Sequence, residues 1–382
     1  MDIVYSSSDS YCEIAGISIL SLLEHNRNVK ELNLYLIDNQ ISAENKQKLE
    51  NMIASFGRTL TYLAHPDIEK RSATEINVGR WNISTFYRLF LPSMLPETVK
   101  KVLFIDCDTL VMQDLTPLWE MDMGDKWLYG VDDCRGAAYR TNLGLQPTDN
   151  YINNGVLLVD LDAWRKNNVE DMFLRYIREN QGDITFVDQG VQNGVLSKLG
   201  RSGILHPKYN CMTVFFAFDY KNLIKLRKPP VPGDPAQYRE AVESPAIVHF
   251  QSCFRMSIRP WVAGCKHPYA KTYLAYKAKS PWKDTPMKPD DRTAPQKVLS
   301  AVTSAMPEGL MAISPFSALQ TLILPLVPVL RRSVLIFLPY STTSSLSSCI
   351  SIICCLLFSF SFLISDIAAR MIPVLRTRRK RR

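Results

Sequence analysis

"KVLFIDCDTLV", residues 101–111, is an apolar run of strand character that stops at two carboxylates, Asp106 and Asp108. Two like charges at this spacing repel and raise each other's pKa unless a cation lies between them. At positions i and i+2 both side chains can point to one side where a strand runs out. Oxygen ligands so placed suit a hard or borderline divalent ion, Mg²⁺ or Mn²⁺. A third ligand must come from a distant part of the chain. His249, at the end of the apolar strand "AIVHF" (246–250), is the best placed, and its nitrogen favours Mn²⁺.

Outward from this strand the chain alternates strands and helices. "DIVYS" (2–6), "ELNLYLID" (31–38) and "TLTYL" (59–63) read as strands, with a helix through Ile14, Ile17, Leu20 and Leu23 after the first. "SAENKQKLENMIASF" (42–56) reads as a helix with Ser42 as N-cap. "ISTFYRLFL" (83–91) reads as a mostly buried helix before Pro92. Strands at 101–106, 127–131 and 154–160 and helices at 169–180 and about 188–198 precede the strand at 246–250. This alternation predicts an α/β fold with a mostly parallel sheet wrapped by helices on both faces. Ligands then sit at the carboxyl ends of the strands, near Asp9, Asp106, Asp108, Asp133 and His249. No Gly-x-Gly-x-x-Gly fingerprint is present, which argues against a dinucleotide cofactor.

The formal charge of +8 is concentrated in "RMIPVLRTRRKRR" (370–382), which holds seven basic residues and no acidic one. The rest is nearly neutral, so nucleic acid is not an expected partner. The nine cysteines form no Cys-x-x-Cys pair, and the N-terminus has neither the basic nor the apolar region of a signal peptide. Both point to a reducing, cytoplasmic location for the main domain. Residues 283–318 read as a polar, Pro-rich linker and 319–369 as an apolar, Ser-rich segment, with the basic tail at 370–382. Within the apolar segment, "LSSCISIICCLLFSFSFLIS" (346–365) has the length to span a bilayer. The expected setting is the inner face of the cell membrane, peripheral or tail-anchored, in contact with anionic lipid.

Phosphatases and mutases of the haloacid dehalogenase type also end a strand in Asp-x-Asp, the first Asp being the nucleophile. They place Thr or Val four residues later, where this chain has Leu110, and their motif stands near the domain start. That is the alternative reading, with Asp106 as nucleophile.

Six segments in order make 1–282 resemble glycosyltransferase family 8. They are "MDIVYSSSDSY" (1–11), "ISTFYRLFLP" (83–92), "VLFIDCDTLVMQDLTPLW" (102–119), "YINNGVLLVDLDAWR" (151–165), "VDQGVQN" (187–193) and "IVHFQSCFRMSIRPW" (247–261). The resemblance implies a GT-A fold and retaining, metal-dependent transfer of a hexose, glucose or galactose, from a UDP-sugar. The implied acceptor is a glycan or lipid-linked sugar of lipopolysaccharide or another cell-surface polysaccharide.

The same resemblance implies the roles. Asp106, Asp108 and His249 would hold Mn²⁺, with Mg²⁺ as the other option. Tyr11 would stack on uracil with Asp9 near base and ribose, and Arg88 and Asp133 would position the donor. Asn153, Asn154, Asp188 and Gln189 would line the sugar pocket, with Gln189 beside the anomeric carbon. On local pattern alone, Asn153 and Asn154 also fit a turn and Asp188 an N-cap.

Two segments depart from the family pattern. Its Asp-Gln-Asp is here Asp188-Gln189-Gly190, and its closing Lys-Pro-Trp is Arg259-Pro260-Trp261. Arg259, or Arg255 in the same loop, is the expected diphosphate contact. An arginine there can grip phosphate bidentately, where lysine acts as a point charge.

Overall fold

A computed structural model describes residues 1–79 and 81–309. Ten strands lie among them: β1 (Asp2–Ser8), β2 (Asn33–Asn39), β3 (Leu60–Ala64), β4 (Lys101–Ile105), β5 (Thr109–Val111), β6 (Leu128–Asp132), β7 (Ile152–Asp160), β8 (Ser202–Ile204), β9 (Cys211–Met212) and β10 (Ile247–His249). Seven form the main sheet in the order β3-β2-β1-β4-β7-β6-β8. Its pairings are parallel except the two made by β7, which runs against both β4 and β6. The sheet is thus mostly parallel, as the alternation predicts.

Period-two alternation decides which side chains go to which face. Ile3, Tyr5, Leu103, Ile105, Val156 and Leu158 pack on one side with helix α1 (Cys12–His25). Val4, Val102, Phe104, Leu157 and Val159 pack on the other with Phe173 and Ile177 of the helix Val169–Glu179. Both faces are covered, so these strands read as continuous apolar runs.

Helix α1 is buried nearly all round, and its polar residues are satisfied inside. The Ser18 hydroxyl lies 2.8 Å from that of Thr109, and the Val111 amide donates to Ser21 Oγ at 2.9 Å. These bonds fix β5, the short strand that follows the two aspartates. In a second, three-stranded sheet β10 runs antiparallel to β5 and parallel to β9, with His249 opposite Thr109. The 139 residues between them are thereby closed onto the end of β4.

Asn153 and Asn154 lie inside β7 rather than in a turn. Tertiary pairing with β4 and β6 overrides the local turn preference of Asn-Asn-Gly. Residues 83–90 are helical as expected, but in 3-10 form, with Asn82 accepting from the Ser84 amide as cap. Helix α2 (Ala43–Ala54) starts at Ser42, whose hydroxyl accepts from the Asn45 amide.

Trp282, the last residue of the expected domain, is buried and donates from its indole nitrogen to Asn45 Oδ1 at 3.0 Å. From 283 the described residues continue along the domain and include a helix, Ala294–Ala305. None of the described helices is long and apolar enough to cross a membrane. The apolar segment 319–369 and the basic tail 370–382 lie outside the described residues.

Candidate metal and donor site

The end of β4 is held by backbone bonds on both sides. The Asp106 amide donates to the Gly155 carbonyl at 2.8 Å, and the Thr109 hydroxyl donates to the Asp106 carbonyl at 2.8 Å. The Phe250 amide donates to the Asp108 carbonyl at 2.8 Å, so the residue after His249 is tied directly to the second aspartate. Cys107, between the two, is buried with its thiol donating to the Ser6 carbonyl at 2.9 Å.

His249 Nε2 lies 3.2 Å from Asp108 Oδ1 and 3.9 Å from Asp106 Oδ2. One donor atom from each of the three residues falls within 4.8 Å of the others. Imidazole Nδ1–H donates to Asn210 Oδ1 at 2.9 Å, and Asn210 Nδ2 donates to Asn153 Oδ1 at 2.8 Å. This relay fixes the tautomer that leaves the Nε2 lone pair facing the carboxylates, as a metal-binding histidine requires. Two oxygens and one nitrogen with other positions open fit a Mn²⁺- or Mg²⁺-type ion, and residues 106, 108 and 249 could hold one.

Electrostatics around the pair are asymmetric. Burial pushes the Asp106 carboxyl up, partly opposed by Arg88. Burial acts the same way on Asp108, yet His249 and Arg259 reverse it and hold that group below the usual range. Burial alone would lower the His249 pKa, and the Asp108 carboxylate more than offsets it, leaving it raised.

Arg88 is buried and acts as a hub. Its Nη2 donates to Asp106 Oδ1 at 2.9 Å, its Nε lies 3.1 Å from Asp188 Oδ2, and its Nη1 donates to the Asn154 carbonyl. The guanidinium lies over the Phe104 ring, 4.5 Å from its centroid. An isolated surface ion pair is therefore not its role. Asp106 has no lysine in ion-pair contact among the described residues, and its carboxylate is engaged by Arg88 and His249. This environment does not present the free nucleophile that the dehalogenase-type reading needs.

Asp188 and Gln189 open the helix Val187–Gln192. Phe186 and Val187 before them have φ of +65° and +46°, a left-handed stretch that is costly for a β-branched residue. The strain aims Asp188 inward, where it pairs with Arg88 and accepts from Asn154 Nδ2 at 2.9 Å. Burial raises its pKa, with Arg88 pulling the other way. Gln189 Nε2 donates to Asp133 Oδ2 at 3.0 Å, and its Oε1 lies 3.4 Å from both Asn153 Nδ2 and the Asn154 amide. A side chain at Gly190 would force the backbone to shift, because a Cβ would lie 2.0 Å from the Thr185 carbonyl oxygen.

The structure therefore gathers Arg88, Asp106, Asp108, Asp133, Asn153, Asn154, Asp188, Gln189 and His249 into one connected network. Arg259 joins it, with Nη1 donating to Asp108 Oδ2 at 2.9 Å. Arg255 does not; it donates instead to the Met306 carbonyl at 2.8 Å. Tyr11 is exposed at 40% and meets Trp261 edge-on at 6.4 Å. Asp9 lies at the same strand end, but its Oδ1 is occupied by the Ser42 amide and Asn45 Nδ2, each at 2.8 Å.

Three members were not foreseen. Asn210 lies in "HPKYNCMTVFFAF" (206–218), a stretch with no metal-site pattern of its own, yet it sits behind His249. Gln192, one turn after Asp188, donates to Asn154 Oδ1 at 2.7 Å, a spacing that could have been read from the helix period. Arg135 donates to Asp133 Oδ2 at 3.1 Å, folded back by Cys134 at φ +53°.

Comparison with known proteins agrees with this geometry. Residues 2–263 match the family model described as Glycosyl transferase family 8. General stress protein A of Bacillus subtilis (strain 168) is 29% identical over 286 residues, covering 74% of this chain and 94% of the relative. The lipopolysaccharide 1,2-glucosyltransferase of Escherichia coli (strain K12) is 21% identical, covering 74% of this chain and 79% of the relative. Among solved structures, galactosyltransferase LgtC in complex with donor and acceptor sugar analogs superposes with a TM-score of 0.61 at 23% identity, covering 78% of this chain and 100% of that one. With the family model matched over most of its length and a central sheet of the GT-A kind, the chain belongs to glycosyl transferase family 8 and is a glycosyltransferase.

Proposed function

We propose that the protein transfers a hexose, glucose or galactose, from a UDP-sugar to a glycan or lipid-linked acceptor in cell-surface polysaccharide synthesis, with retention at the anomeric carbon. The observation that carries the reading is the convergence of Asp106, Asp108 and His249 on one point beside the Arg88–Asp188 pair. The names of the relatives, one a glucosyltransferase and one a galactosyltransferase, support the choice of sugars.

A Mn²⁺ ion held by residues 106, 108 and 249 would supply Lewis acidity toward a diphosphate. The chain's own groups do the rest. Arg259 is free to exchange its contact with Asp108 for a phosphate oxygen, gripping it as leaving-group charge develops. Tyr11 offers a half-exposed ring for a base to stack on, beside Trp261. Asp133, held by Gln189 and Arg135, keeps a carboxylate oriented for sugar hydroxyls.

Retention by double displacement needs a free carboxylate nucleophile, as in retaining hydrolases. Asp188 is committed to Arg88 and Asn154, and Gln189 is a poor nucleophile. We therefore favour front-face substitution, in which the departing phosphate accepts the acceptor's proton. Asp188, Asn153 and Asn154 stabilise the positive charge that builds at the sugar ring.

The test is a Mn²⁺-dependent assay of UDP release from UDP-glucose and UDP-galactose, with Asp108→Ala as the control. Release that is lost in the variant while the fold is retained supports the reading. UDP binding without turnover would make the protein a binding module instead, and phosphate release from sugar phosphates would revive the phosphatase reading. A glycosyl adduct trapped on Asp188 would overturn the front-face route. The setting at the inner membrane face, with the basic tail on anionic lipid, is part of the same proposal. Vesicle flotation of the full chain with and without phosphatidylserine tests it.

A further inference from the structure

The loop that carries Arg259 has little structure of its own. Between β10 and Trp261 its only ladder contact among the described residues is a bridge from Cys253 to Met256. Besides its ties to Asp108, its middle is held by residues beyond the family-matched region, which ends at 263. The Thr303 hydroxyl donates to the Phe254 carbonyl at 3.0 Å, and Ser304 Oγ donates to the Arg255 carbonyl at 2.8 Å. Ser257 Oγ lies 2.7 Å from Ser300 Oγ and accepts from Arg292 Nη1 at 2.6 Å. Arg292 is itself oriented by a bidentate grip on Asp290, both bonds 2.8 Å.

Lys288 extends this support to the loop that follows β1. Its amide donates to the Trp261 carbonyl at 2.8 Å, and its Nζ donates to the Ser10 carbonyl at 2.8 Å. One residue thus bridges the closing loop of Arg259 and Trp261 to the β1 loop of Asp9 and Tyr11.

We propose that residues 284–308 form a strap over the donor site, with Lys288, Arg292, Ser300 and Thr303 as positioning residues that hold the Arg259 loop and the Tyr11 loop in the conformation that receives a nucleoside diphosphate. This assignment rests on the donor-site reading above. The strap touches no reacting atom; it acts by keeping Arg259 and Trp261 in register with Asp108 and Tyr11. A loop that must be ordered at each binding event lowers apparent affinity by the fraction of time it is competent. A strap that orders it beforehand removes that loss.

Two variants test this in the full chain: Lys288→Ala, and the triple Arg292→Ala, Ser300→Ala, Thr303→Val, which removes the bonds to Ser257 and Phe254. If release leaves the loop competent about a tenth of the time, the KM for UDP-sugar and the Kd for UDP with Mn²⁺ rise about tenfold while kcat changes less than twofold. Amide hydrogen exchange over 251–262 accelerates in the triple variant without nucleotide. Lys288→Arg, which keeps a donor within reach of Ser10, restores most of the affinity. Unchanged exchange over 251–262 overturns the proposal, as does faster exchange with unaltered Kd and KM. A wild-type chain that binds no UDP at all overturns the donor-site reading and this assignment with it. Exchange over 251–262, read without nucleotide, separates that failure from failure of the strap itself.

Discussion

A methyl group added at Gly155 would lie 2.3 Å from Cε1 of His249, closer than any real contact allows. The backbone of β7 and the imidazole are therefore in direct contact, with the Asp106 amide bonded to the Gly155 carbonyl on the same stretch. Gly155→Ala is expected to push His249 off its position opposite Asp108 while leaving all three donor residues in the chain. Mn²⁺ affinity should fall by about 10- to 100-fold, the range seen when the groups supporting a metal ligand are disturbed. Titration with Mn²⁺ followed by electron paramagnetic resonance of the free ion measures this. Wild-type affinity in the variant would separate His249 from metal binding.

Asn210 tests the same ligand from the other side. It accepts from His249 Nδ1–H and passes the relay on to Asn153, so Asn210→Ala frees the ring to change tautomer. Because Asn210 is wholly buried, the expected result combines a stability loss of about 1–3 kcal/mol with weaker Mn²⁺ binding. Asn210→Asp, which keeps an acceptor for Nδ1–H, should retain more of the metal affinity than Ala does. Equal affinities for the two would remove the relay from the account.

The buried Arg88 guanidinium pairs with both the partly buried Asp106 and the buried Asp188. Arg88→Met leaves both without their shared partner, and removing one member of a buried ionic group costs about 3–5 kcal/mol. Adding Asp188→Asn to this variant removes one of the stranded charges. The double variant should recover part of the loss in a urea denaturation series, and a fully additive double variant would contradict the coupling.

Much of this arrangement was legible in the chain and some was not, for physical reasons. Asp106 and Asp108 could be read because they stop an apolar strand, where nothing but a ligand or solvent explains two charges. His249 could be read because it ends another strand of the same kind. Asn210 could not, since its role depends on β9 lying beside β10, a long-range pairing that leaves no local pattern. The left-handed Phe186 and Val187 were equally hidden, because neither residue type announces positive φ. The segment after 283 looked like a linker because it is polar and rich in proline. Its serines, threonine and arginine are spent on the Arg259 loop, which composition does not reveal.

His267 gives the stability a pH dependence distinct from the metal site. Its ring is buried between Phe216 and Phe250, its Nδ1 accepts from the Tyr269 amide, and its Nε2 has no partner among the described residues. Burial pushes its pKa down to about 4 from an ordinary 6.5. Above pH 6.5 the ring is neutral in both folded and unfolded chains and has no effect. Between 6.5 and 4 the unfolded chain takes up a proton that the folded chain refuses, so stability falls as pH drops through that window. The loss reaches on the order of 3 kcal/mol at its lower end. Thermal unfolding from pH 7 to 4.5 should show this component in the wild type and not in His267→Phe, whose ring suits the aromatic cluster. Identical pH slopes would assign the effect to other groups.

Gly190 stands where the family pattern has a second aspartate, and pattern alone favours restoring that carboxylate. Packing argues the reverse. A Cβ at this position would meet the Thr185 carbonyl oxygen at 2.0 Å and Ile184 Cγ2 at 2.9 Å. The Gly190 amide is bonded to the Phe186 carbonyl, so any retreat of residue 190 carries the strained turn with it. Asp188 and Gln189 ride on that turn and would leave Arg88 and Asp133. Gly190→Asp should therefore cost about 1–3 kcal/mol from overpacking, seen as a Tm lower by a few degrees. UDP release should fall together with it, through displaced Asp188 and Gln189 rather than through lost metal. Mn²⁺ affinity is accordingly expected to change less than in Gly155→Ala. A variant that keeps its Tm and turns over faster would mean that the 185–190 turn can adopt a second backbone, one with room for the carboxylate.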